Sequence, residues 1–136
     1  MTGKSSTALT TGQVVPLLLF GLVFWFAVAV LIRVLEPMGA FGNPAALIGL
    51  FVFGAVLGWP SVMVARIIGR LRPEQLFAGS VCALLPALLA DALALTYVPG
   101  LYSATGAESF EAPAQILWGA GWVIVAAFHL AGRGEQ

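Results

Sequence analysis

Asp91 is the residue best placed for chemistry. It stands in Leu88-Leu89-Ala90-Asp91-Ala92-Leu93, inside an apolar stretch long enough to cross a bilayer. A carboxylate near the centre of a membrane helix costs about 2.5–3.5 kcal/mol on insertion scales, so it has to be paired, hydrated or protonated. Two roles suit it: a polar contact that orients helices, or a site for a proton or cation. Ala83, Ala87 and Asp91 fall on one helical stripe with Ala94 beside it, and a face of small residues packs closely against another helix. The acid is therefore expected to point into a bundle. Arg33, Gln115 and Trp118 come to comparable depth at the ends of neighbouring helices. That placement predicts an intramembrane polar cluster of Asp91, Arg33, Gln115 and Trp118, built around an Arg33–Asp91 pair.

The remaining reactive side chains are few. His129 has the chemistry of a haem or pigment ligand, but a bis-histidine haem needs a second histidine and the chain has one. With Arg133 nearby, capping a helix C-terminus is the more economical role for it. Cys82 is the single cysteine, which excludes an intrachain disulfide and thiol-rich metal sites, and its apolar neighbours suit a buried inert thiol. No metal-spaced His/Cys set, phosphate-binding glycine loop or nucleophile elbow is present. No catalytic residue, metal or cofactor is expected.

Small and aromatic residues point to packing. Gly54-Ala55-Val56-Leu57-Gly58 is a small-xxx-small pattern, and Gly119-Ala120-Gly121 thins the last apolar segment, so Gly54, Gly58, Gly119 and Gly121 join Ala83 and Ala87 as helix-packing positions. Such contacts serve within one bundle or between copies. Trp25, Trp59, Trp118 and Trp122 suit interfacial anchoring or packing bulk. Arg66, Arg70 and Arg72 form the most basic stretch, which sets topology and also suits anionic lipid headgroups.

These residues need a scaffold, and composition dictates which kind. Of 136 residues 60% are hydrophobic and only 9% charged, whereas soluble domains carry about 25% charged residues. A formal net charge of zero leaves no electrostatic footprint for nucleic acid. Four apolar segments, at about 14–35, 44–65, 73–98 and 113–131, use nearly the whole chain, and about 20 helical residues cross the hydrocarbon. The expected fold is all-α, an integral membrane four-helix bundle forming a single domain over residues 14–132. Residues 1–13 are expected to be a flexible tail and 133–136 a short polar end.

Pro16 suits a first turn, Asn43-Pro44 a helix start, Pro60 and Pro86 bends, and Pro73-Glu74 the opening of the third helix. The connection with Tyr102, Glu108, Phe110 and Glu111 reads as lying on the membrane surface. Lys4 followed by an apolar run resembles a signal peptide, but that run exceeds a signal core of about 7–15 residues, so the first segment is expected to stay. Lys4, Arg66, Arg70, Arg72 and Arg133 fall on one side of an even-numbered bundle and Arg33 alone on the other. Short cytoplasmic loops carry the excess of basic residues, which predicts both termini inside, N-in/C-in.

The run Leu84-Leu85-Pro86-Ala87-Leu88-Leu89-Ala90-Asp91, then Tyr97-Val98-Pro99-Gly100-Leu101-Tyr102, then Ala114 to Trp122 resembles an uncharacterised family of small four-span bacterial membrane proteins. The resemblance implies the architecture and a bacterial inner membrane as host, with no activity attached. Two function classes stand. One is a non-catalytic accessory or structural subunit, its partners membrane lipids and either other membrane protein subunits or copies of itself. The other is a small proton- or cation-coupled transporter or channel that uses Asp91.

Overall fold

A computed structural model describes residues 7–103 and 111–133, and every described element is helical. Helix α1 spans Thr11–Leu35, α2 Pro44–Gly69, α3 Leu76–Tyr97 and α4 Glu111–Arg133, with single 3-10 turns at Pro73–Gln75 and Pro99–Leu101. All four are long and apolar enough to cross a membrane, counting the Pro73–Gln75 turn with α3. These four candidate spans suggest a multi-pass membrane protein.

The helix ends follow local chemistry and differ in places from the sequence expectations. Helix α1 starts at Thr11, where the Gln13 side chain reaches back to the Thr10 N–H at 3.0 Å. Pro16 therefore falls in the second turn, and part of the expected tail is helical. Residue 8 is also held, because Gln75 Nε2 donates to the Ala8 carbonyl at 2.8 Å. Helix α2 opens under Asn43, whose Oδ1 accepts from the Ala45 N–H at 2.9 Å, and it continues to Gly69 rather than stopping near 65. Nothing in Arg66-Ile67-Ile68 breaks a helix, so Arg66 belongs to its last turn. The reversal comes at Arg70, in the left-handed conformation at φ 47°, where the Leu71 N–H returns to the Arg66 carbonyl. Helix α4 begins at Glu111, two residues ahead of Pro113. Lys4, Glu108, Phe110 and the polar end at 134–136 lie outside the described residues.

The helices alternate in direction, yet the most extensive packing joins helices that run the same way: α1 with α3, and α2 with α4. Glycine makes both contacts possible. A Cβ on Gly21 would sit 1.9 Å from the Ala83 carbonyl oxygen, and one on Gly58 would sit 2.8 Å from that of Trp122. Helix α3 bridges to α4, and α1 meets α2 less extensively. Two apolar cores result. One, at the end where α1 begins, holds Leu17, Val62, Leu71, Leu76 and Ala126. The other, at the opposite end, holds Ala29, Ile32, Ala94, Tyr102 and Ala112. Outward positions are equally apolar, as Val15, Leu19, Val23, Phe26, Val30 and Val34 show along α1. A helix apolar on every side suits a hydrocarbon surround.

Candidate functional site around Asp91

Asp91 occupies the inward stripe of α3 with Ala83, Ala87 and Ala94, all buried. The small neighbours let α1 approach, and the stripe Leu17, Gly21, Trp25, Ala29 of α1 faces it at i, i+4 spacing. That register brings Trp25 level with the acid: Trp25 Nε1 donates to Asp91 Oδ1 at 2.7 Å. The third member comes from beyond α3. Tyr102 is buried, its hydroxyl donates to the same Oδ1, and it accepts a second contact from Trp25 Nε1 at 3.0 Å. Three side chains from α1, α3 and the following turn thus close a small polar ring inside apolar surroundings.

The turn that delivers Tyr102 is itself anchored to α1. Arg33 Nη1 donates to the Gly100 carbonyl, and Ser103 Oγ donates to Glu36 at 3.2 Å. Tyr102 consequently folds into the bundle instead of lying on a membrane surface. Burial first, then the hydrogen bond to Asp91, push its phenol well above the ordinary value of 10.0, against a smaller downward pull from the Trp25 N–H.

The expected Arg33–Asp91 pair is absent from this arrangement. Arg33 lies eight residues past Trp25, about 12 Å further along α1 at a rise of about 1.5 Å per residue, and so reaches the turn after α3 rather than the acid. Gln115 and Trp118 engage a different neighbour. Gln115 Nε2 donates to the Leu50 carbonyl at 2.6 Å and Trp118 Nε1 to the Phe51 carbonyl at 2.8 Å, both on α2. Gly54 leaves the first of these open, because a Cβ there would stand 3.0 Å from Gln115 Nε2. The four residues grouped from sequence are thus divided between two helix seams.

Comparison with protein families, curated proteins and solved structures returns no match.

Asp91 and Gln115 do share one feature, a cavity. Helix α1 does not close onto α4, and the gap between the α1/α3 and α2/α4 pairs is a space of about 110 Å³ walled by all four helices. Its lining is apolar apart from Trp25, Ser61, Asp91 and Gln115.

The other singled-out residues are dispersed. Gly54 and Gly58 face α4, and the Gly119 Cα lies 3.9 Å from where a Cβ on Gly54 would sit, whereas a Cβ on Gly119 or Gly121 would itself meet nothing within 4 Å. Their spacing of two turns them to different sides: Gly119 lines the cavity and Gly121 is exposed. Arg66, Arg70 and Arg72 are exposed at the end where α2 stops, with Arg72 paired to Glu74 at 3.6 Å. His129 is exposed and packs its ring edge-on to Trp59. Among the described residues no group of histidine, cysteine and acidic side chains is placed to hold a metal ion. Trp25 and Tyr102 are the site residues that sequence reasoning missed.

Proposed function

We propose that this chain is a non-catalytic integral membrane protein of a bacterial inner membrane, an accessory or structural subunit that assembles with other membrane proteins or with copies of itself. The observation that carries this reading is the occupation of Asp91 by two donors of its own chain, Trp25 and Tyr102. An acid held that way joins α1, α3 and the far-end turn, which is the work of a structural contact. Gln115 and Trp118 are likewise committed to carbonyls of α2. Asp91 is turned inward and the outward faces of the spans carry many large apolar side chains, a surface suited to lipid and to other spans. In this reading both termini are cytoplasmic, with Arg66, Arg70 and Arg72 at the inner end and Arg33 at the outer.

The test is the native mass of the complex extracted from its own membrane with surrounding lipid. A stoichiometric assembly with larger membrane proteins, or a defined homo-oligomer, is the expected result. A lone monomer would overturn the proposal. Asp91→Asn retains an acceptor for both donors, so the assembly is expected to survive it; loss of a transport activity with assembly intact would favour the proton- or cation-coupled alternative.

A further inference from the structure

We infer that the cavity between the two helix pairs is a binding site for a small lipophilic amine in its protonated form, its nitrogen at Asp91 and its apolar body among the surrounding aliphatic and aromatic side chains. Three observations converge. The first is shape and lining: a space of about 110 Å³ bounded by residues such as Phe24, Leu31, Phe53 and Leu57, with a few polar groups, is how small-molecule sites are built.

The second is the direction of the unmet hydrogen bonding. Each donor-bearing side chain in the wall already has an acceptor within its own chain. Trp25 Nε1 goes to Asp91 and Tyr102, Gln115 Nε2 to Leu50, and the Ser61 hydroxyl to the Leu57 carbonyl at 2.7 Å. What remains is an acceptor: both donors on Asp91 land on Oδ1, leaving Oδ2 without a hydrogen bond among the described residues. A guest that supplies donors and positive charge completes this wall. A lipid tail supplies neither, and a carboxylate would face another carboxylate.

The third is the room left in α4. Gly119 lies on the inward stripe with Gln115, Ile116 and Val123, lines the cavity, and has open space where a side chain would start. A leucine at this position is therefore a direct means of filling the site.

The experiment uses the full chain in lipid nanodiscs and reads binding of 4-fluorophenethylamine by fluorine NMR, with empty nanodiscs to subtract partition into lipid. The matched neutral hydrocarbon and the matched carboxylate serve as comparison probes. Saturable binding of the amine is expected, weakened about tenfold or more by Asp91→Asn, since a charge-assisted hydrogen bond is lost while Trp25 and Tyr102 keep their acceptor. Gly119→Leu is expected to abolish it with helix content and unfolding temperature preserved. Equal binding of hydrocarbon and amine, better binding of the carboxylate, an unchanged affinity in Asp91→Asn, or no saturable component would each overturn the inference. Asp91→Asn keeps the test decisive if the larger leucine disturbs folding.

Discussion

Gly21 on α1 stands against Ala83 on α3 so closely that a methyl group on the glycine would lie 1.9 Å from the alanine's carbonyl oxygen and 2.9 Å from the Pro86 ring. The obstacle is backbone, which cannot rotate aside. Gly21→Ala is therefore expected to push the two helices apart and to destabilise the bundle by about 1–3 kcal/mol, the usual range for overpacking. Gly121→Ala is the matched control: its added carbon meets nothing, and the change should be neutral or stabilise by up to about 1 kcal/mol, the helix-propensity gain of alanine over glycine. Thermal unfolding of the two variants in one detergent compares them directly. Equal losses would remove the close approach as the cause.

The ring of Trp25, Asp91 and Tyr102 makes a second expectation, with a defined pH dependence. Tyr102→Phe deletes the phenol's hydrogen bond to the acid and is expected to cost about 1–2 kcal/mol, the upper part of the range for interhelical polar contacts in membranes. Because the folded-state pKa of Tyr102 is raised, its contribution is complete below the ordinary value of 10.0, where the phenol is protonated folded or unfolded. Above it the unfolded phenol ionises while the folded one retains its proton, so stability falls as pH rises. Unfolding temperatures measured from about pH 8 to pH 11 should show this alkaline decline in the parent chain and a shallower one in Tyr102→Phe. An identical slope in both would assign the decline elsewhere.

The four helices were legible because a span needs only length and hydropathy, both local properties. The partners of Asp91 were not, for reasons that differ. Trp25 sits at i+4 from Gly21 and i−4 from Ala29, an inward stripe in principle, but α1 is apolar all round and its periodicity marks no face. Tyr102 reaches the acid only because Arg33 and Ser103 tie the turn after α3 to the end of α1, a contact between residues nearly seventy positions apart in sequence. Charge and a place at the same end of the bundle point to Arg33, but it lies eight residues past Trp25, about 12 Å further along α1, beyond reach of the acid. Gly119 and Gly121 were paired by composition, although two residues along a helix turn about 200° and separate the faces.

Gly54 and Gly58 both face α4, yet their neighbours differ and so should the consequences of adding a methyl group. At Gly58 the new carbon would lie 2.8 Å from the Trp122 carbonyl oxygen and 2.9 Å from its carbon, whereas at Gly54 the nearest atom is the end of the Gln115 side chain at 3.0 Å. Gly58→Ala is expected to be the more damaging, again by about 1–3 kcal/mol. Gly54→Ala should cost only what displacing Gln115 from the Leu50 carbonyl costs, about 0.5–1.5 kcal/mol. A double-mutant cycle isolates that term: in a Gln115→Leu background Gly54→Ala should lose most of its effect. Additive losses would show that Gln115 is not what the methyl group disturbs.

Arg70 holds a left-handed conformation at φ 47° and ψ 47°, which glycine adopts without strain and other residues do not. Glycine occupies the preceding position instead, where a Cβ would come within 3.0–3.1 Å of the Leu71 and Leu17 side chains. Packing thus claims the glycine at 69 and leaves the strained geometry to an arginine. Arg70→Gly is expected to raise stability by about 0.5–1 kcal/mol, the relief of strain being partly offset by the freer unfolded chain. The backbone contacts of the reversal, Leu71 N–H to the Arg66 carbonyl and Gln13 Nε2 to the Arg70 carbonyl, do not involve the side chain and remain. Arg70→Ala removes the same charge and keeps the strain, so it separates the two effects: a gain in Arg70→Gly alone assigns it to the backbone, while an equal gain in both would assign it to charge.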